Sequence, residues 1–114
     1  MKNITGEKIF LVQGSAKEPY KVTFRMRTNG MSASCTCPAG ENGQLCKHRL
    51  NLLGGMVDGL IGENSQDIET VVSWLSETGV GFALNEVVQA EEQFEIAKRK
   101  LATAKKQLLK ILHD

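Results

Sequence analysis

Tyr20-Lys21-Val22-Thr23-Phe24-Arg25-Met26-Arg27-Thr28-Asn29-Gly30-Met31-Ser32-Ala33-Ser34-Cys35-Thr36-Cys37 is the stretch that decides the fold. Tyr20 to Arg27 alternates apolar and polar residues without error, the pattern of a half-buried β-strand. Asn29-Gly30 follows as a two-residue hairpin turn, because both residues tolerate positive φ. Closing the hairpin there pairs Met26 with Ala33, Phe24 with Cys35 and Val22 with Cys37. The apolar residues and both cysteines then share one face, with Lys21, Thr23, Arg25 and Arg27 on the other.

The hairpin ends in Cys35-Thr36-Cys37, and after eight intervening residues comes Cys46-Lys47-His48; these are all three cysteines of the chain. Three thiolates and one imidazole fill the tetrahedral shell of Zn²⁺, with Zn–S near ~2.3 Å and Zn–N near ~2.0 Å. No position remains for an activated water, so Cys35, Cys37, Cys46 and His48 are expected to hold a structural zinc. Cys35 and Cys37 can point together at a strand end. Cys46 and His48 must lie on a turn or at the start of a helix, since i and i+2 within a helix diverge by about 200°. Pro38, Gly40, Asn42 and Gly43 give the intervening segment the composition of a loop.

A disulfide would leave one cysteine over, and nothing like a secretory signal precedes the pattern, so a reducing intracellular compartment, cytoplasm or nucleus, is expected. Asn3-Ile4-Thr5 matches a glycosylation acceptor, which in such a compartment is a chance match.

Around the hairpin, Lys8 to Gln13, with Ile9, Phe10, Leu11 and Val12, reads as a third strand buried on more than one side, and Leu50, Leu53, Val57, Leu60 and Ile61 as an amphipathic helix, shortened or closely approached at Gly54-Gly55. The fold class expected is α+β: a small three-stranded antiparallel sheet in a zinc-bound ββα module, then a helical C-terminal half.

Cys35-x-Cys37 and Cys46-x-His48 in this strand-strand-helix context resemble the SWIM zinc finger. That module occurs in transposases, chromatin-remodelling ATPases, recombination accessory proteins and some ubiquitin ligases. The resemblance covers roughly residues 20 to 55. It implies zinc held by the same four residues, and a role in binding DNA or protein. The ATPase, transposase and ligase activities are not carried over, because 114 residues leave no room for their domains.

The second half has a different character. Asn64-Ser65 is expected to cap a helix to about Glu77, with Ile68, Val71, Val72 and Leu75 on one face and Trp74 beside them. From about Asn85 to Leu112, Val87, Phe94, Leu101 and Leu108 recur every seven residues, with Ala90, Ala97, Ala104 and Ile111 between them, a coiled-coil seam. The domains expected are 1–62, the zinc module, and 63–114, the helical region. No apolar run reaches the ~18 residues of a membrane span.

A net charge of +1 conceals segregation. Residues 1–56 hold eight bases and three acids, residues 57–97 nine acids and no base, and residues 98–114 six bases and one acid. On the outward hairpin face, Lys21, Arg25 and Arg27 are candidate phosphate contacts, as are Lys47 and Arg49 beside His48. Solvation alone also selects such residues on an exposed strand face. With no phosphate loop of P-loop type, and His113 the one histidine outside the motif, no enzyme is expected. The function expected is a non-catalytic DNA-binding accessory protein, dimerised through residues 87–112, with DNA or a DNA-associated protein as partner. The alternative is a protein-interaction adaptor that never touches nucleic acid.

Overall fold

Ile4–Val12 (β1), Tyr20–Arg27 (β2), Gly30–Cys35 (β3) and Leu60–Ile61 (β4) form one antiparallel sheet ordered β3-β2-β1-β4. The computed structural model describes residues 4–113, so Asn3 of the acceptor triplet lies outside the described residues. The helices are Pro38–Glu41 (α1), Lys47–Leu53 (α2), Asp67–Leu75 (α3) and Val80–Leu112 (α4). The α+β class is as expected, with a fourth strand added.

The hairpin register differs from the expected one by two residues: Arg27 faces Gly30, Met26 faces Met31 and Val22 faces Cys35. The loop is therefore Thr28-Asn29. No non-glycine residue described has positive φ, and in this hairpin Gly30 alone takes it, at +136°. A turn that needs two left-handed residues is thereby replaced by one that needs a single glycine at its end. A shift of two preserves side-chain faces, so the core assignment survives.

On the inner face, Phe10 of β1 meets Val22 and Phe24 of β2, all fully buried. The Phe10 and Phe24 rings pack edge to face at 5.9 Å. Each such side chain contributes about 1.5–3 kcal/mol by leaving water.

The helix expected through Leu60 and Ile61 stops earlier. Gly54 caps α2, and Gly55 takes φ +83°. The chain turns back so that Leu60 and Ile61 pair with Val12 and Leu11, and Gln13 donates to the Gly59 carbonyl at 2.9 Å.

Helix α3 buries Ile68, Val71 and Trp74, whereas Val72 is exposed. Trp74 is thus part of the core, and it lies over Gly6 so closely that a Cβ there would be 2.8 Å from its ring. Lys8 of β1 pairs with Asp67 at 3.4 Å. Asn64 does not cap the helix; its amide donates to the Ile9 carbonyl at 2.7 Å and fastens the preceding loop to β1.

The chain divides into two compact units, Met1–Gly81 and Phe82–Asp114. The boundary expected after residue 62 falls inside the first, because α3 is needed to close the core over β1. The second unit consists of α4 from Phe82 onward. This helix starts five residues before the expected Asn85, at Val80, and no side chain along it is buried. Among the described residues no helix is long and apolar enough to cross a membrane.

Candidate metal centre

Three local structures end at the same point. Cys35 closes β3, Cys37 is the N-cap of α1, and Cys46 is the N-cap of α2 with His48 in that helix's first turn. Cys37 therefore lies beyond the strand rather than on it. The ladder is carried one step further by Thr36, whose N–H donates to the Lys21 carbonyl and whose hydroxyl accepts from the Lys21 N–H at 2.8 Å.

Both N-cap thiols receive a backbone donor three residues on: Gly40 N–H to Cys37 Sγ at 3.3 Å and Arg49 N–H to Cys46 Sγ at 3.4 Å. Each sulfur thus occupies the cap position that favours negative charge. Gly40 is required here, since a Cβ would collide with the Cys35 carbonyl and sit 3.0 Å from its Cβ.

The ligand atoms of Cys35, Cys37, Cys46 and His48 lie within 4.8 Å of one another, and all four residues are buried. Cys35 Sγ and His48 Nδ1 are 3.8 Å apart. A tetrahedron built on zinc bond lengths has edges of about 3.6–3.8 Å, so the donor set fits one ion. No disulfide joins the three cysteines. The site is one for a structural zinc: four protein donors close the shell, and the metal's chemical role there is to hold strand, knuckle and helix together.

The electrostatics agree. Burial pushes the Cys35 thiol up to about 12, with the neighbouring thiols adding to it. Burial opposes ionisation of Cys46 as well, but the Arg49 backbone N–H and guanidinium outweigh it and hold that thiol below its ordinary value. Burial, and then the charge of Lys47, lowers His48, keeping the imidazole in the neutral form that ligates metal. Zinc would bind such a set with release of the thiol protons to solvent, so its affinity rises with pH.

Behind the ligands stands a supporting layer that sequence reasoning missed. Arg49 donates through Nε to Cys46 Sγ at 3.4 Å, through one Nη to the Ala33 carbonyl at 3.2 Å, and through the other to the Gln44 carbonyl. One side chain thereby ties the ligand loop to β3. On the opposite side, the Tyr20 ring packs on His48 with centroids 5.0 Å apart. Gly14 leaves the space that Tyr20 and His48 Nε2 occupy, the latter 3.2 Å from where a Cβ would be. The only sequence signal for Arg49 is its place three residues after an N-cap cysteine, and for Gly14 there is none.

The five cationic candidates separate. Lys21 and Lys47 are exposed. Arg25 donates to Glu7 across the sheet at 2.6 Å, and Arg27 is half-buried with an Nε that has no partner. Arg49 is engaged at the metal site, so these residues do not form a single cluster of free cations. The outward sheet face also carries exposed Ile9, Leu11 and Ile61.

The fold and the four-donor cluster define a small α+β zinc-binding module. Residues 10–53, all within the first compact unit and spanning the four donors, match the family model of the SWIM zinc finger. No curated protein and no solved structure matches the chain at a significant level.

Proposed function

We propose that this protein is a non-catalytic interaction adaptor. Zinc fixes a small folded head, and α4 pairs with another helix. The observation that carries this reading is the exposed seam of α4: Phe94 is 65%, Leu101 56% and Leu108 56% accessible in a helix of 33 residues. A helix with no packed face gains little stability beyond its propensity, and an apolar stripe at heptad spacing is stabilised by burial against a partner helix.

The second reading is DNA binding, favoured by the free charges of Lys21 and Lys47 and by the basic balance of the first half. It ranks below the first because Arg25 and Arg49 are already paired and because Ile9 and Leu11 interrupt the basic face. A salt-dependent titration on duplex DNA separates the two. The adaptor reading expects no duplex affinity beyond weak non-specific attraction, and tight, salt-sensitive binding would replace it with the second.

A further inference from the structure

We propose that the partner of α4 is a second copy of this chain, lying antiparallel with its two-fold axis between residues 95 and 96. The inference rests on the adaptor reading and supplies its occupant and geometry. Two independent properties of the helix lead to the same register.

The first is side-chain volume. One seam position is bulky at Phe94, Leu101 and Leu108, and the other is alanine at Ala83, Ala90 and Ala97. In an antiparallel pair the two kinds of position meet in each layer. About the axis proposed, Phe94 faces the partner's Ala97, Leu101 the partner's Ala90 and Leu108 the partner's Ala83. Every layer between Ala83 and Leu108 then holds one large and one small residue, which fills space evenly and lets the helices approach closely, and only the end layer of Val80 and the partner's Ile111 pairs two large ones. A parallel, in-register pair would stack Phe94 on Phe94 and Ala97 on Ala97, alternating overfilled layers with voids, both of which destabilise.

The second is charge. Glu86, Glu91, Glu92 and Glu95 are the only ionised groups of α4 before residue 98, and its bases follow from Lys98 onward. Folding the helix against a copy about its own centre sets residues 86–95 beside residues 96–105 of the partner, acid along base on both sides. Glu91 flanks the seam next to the partner's Lys98. The parallel pair places Glu86 by Glu91 and Lys100 by Lys105, like charges at both, with Gln93 by Lys98 between them and no acid beside a base. The dipole preference for acids at the N-terminal end acts only within the first turn, and so does not account for Glu91 to Glu95 in mid-helix.

The test uses the zinc-loaded full-length protein, whose native cysteines are held by the metal, with wild type as the control for adventitious linkage. Val87→Cys and Ala104→Cys are made separately and oxidised alone and as a mixture, after sedimentation of the wild type. The expected result is a wild-type dimer, with a disulfide formed only in the mixture. Alone, each engineered cysteine is about 25 Å along the axis from its copy, by the ~1.5 Å rise per residue. Self-linkage of each variant would mean a parallel pair and overturn the arrangement, as would a dimer that never links. A wild type that stays monomeric over the concentration range overturns the second copy as occupant. The duplex titration decides the adaptor reading separately.

Discussion

The Arg49 guanidinium donates to the sulfur of Cys46 at 3.4 Å, while the Arg49 backbone N–H donates to the same atom at 3.4 Å. A thiolate at an N-cap thus receives both the helix terminus and a full positive charge from one residue. With three thiolates and one Zn²⁺ the site carries a net negative charge, which a neighbouring cation stabilises in a buried setting. Position next to a ligand has drawn Arg49 inward, and its neighbour Lys47 remains in solvent.

Zinc removal should unfold the first unit. The metal can contribute on the order of 10 kcal/mol or more of apparent folding free energy, and a core this small is marginal without it. One equivalent of zinc should co-purify, and chelation should red-shift the emission of the single tryptophan, Trp74, now buried at 8% exposure. Cys46→Ser should behave as the chelated protein does. Unchanged fluorescence and melting after complete metal removal would refute the structural role.

Arg49→Met should lower zinc affinity by about 10- to 100-fold, as loss of a residue supporting a metal ligand does. Arg49→Lys should restore little, because an ammonium cannot span Cys46, Ala33 and Gln44 as the planar guanidinium does. Competition with a chromophoric chelator reads the difference. Equal affinity in wild type and both variants would reduce Arg49 to a surface cation.

Legibility from sequence followed the range of the interactions involved. The four clustered donors, both main hairpin strands and the helical state of α4 were readable, because each depends on local spacing: alternation along a strand, N-cap and N2 on a helix, a recurring apolar period along a helix. The register was displaced by two because Asn29-Gly30 reads as a turn by propensity, while the fold needed positive φ only at Gly30. Leu60 and Ile61 kept the helical spacing of the residues before them, and only pairing with Leu11 and Val12 makes them a strand. Trp74 at Gly6 and Tyr20 beside His48 are contacts between distant segments, which no local pattern encodes.

The closeness of Trp74 to Gly6 predicts coupled stabilities. Trp74→Ala should cost about 3–5 kcal/mol as a core truncation, and Gly6→Ala about 1–3 kcal/mol by overpacking. Combined, the second change should cost much less than it does alone, since the ring it would strike is gone. Denaturant unfolding of the zinc-loaded proteins measures the cycle. Additive effects would mean that α3 does not pack on β1 as described.

Duplex DNA provides the remaining discrimination, and the exposed cations make it quantitative. On the adaptor reading the wild type should bind no more tightly than about 10⁻⁴ M at physiological salt, the weak end of non-specific attraction. Were binding tighter, the slope of log affinity against log salt would count the phosphates engaged, and Lys21→Ser and Lys47→Ser would each reduce it by about one. Arg25→Ser would change it less, because that guanidinium must first leave Glu7. Both lysines are exposed and neither is a ligand, so the variants should keep their zinc and their fold. Tight binding whose slope falls with Lys21 and Lys47 would establish the phosphate-binding face and displace the adaptor reading, whatever the state of α4.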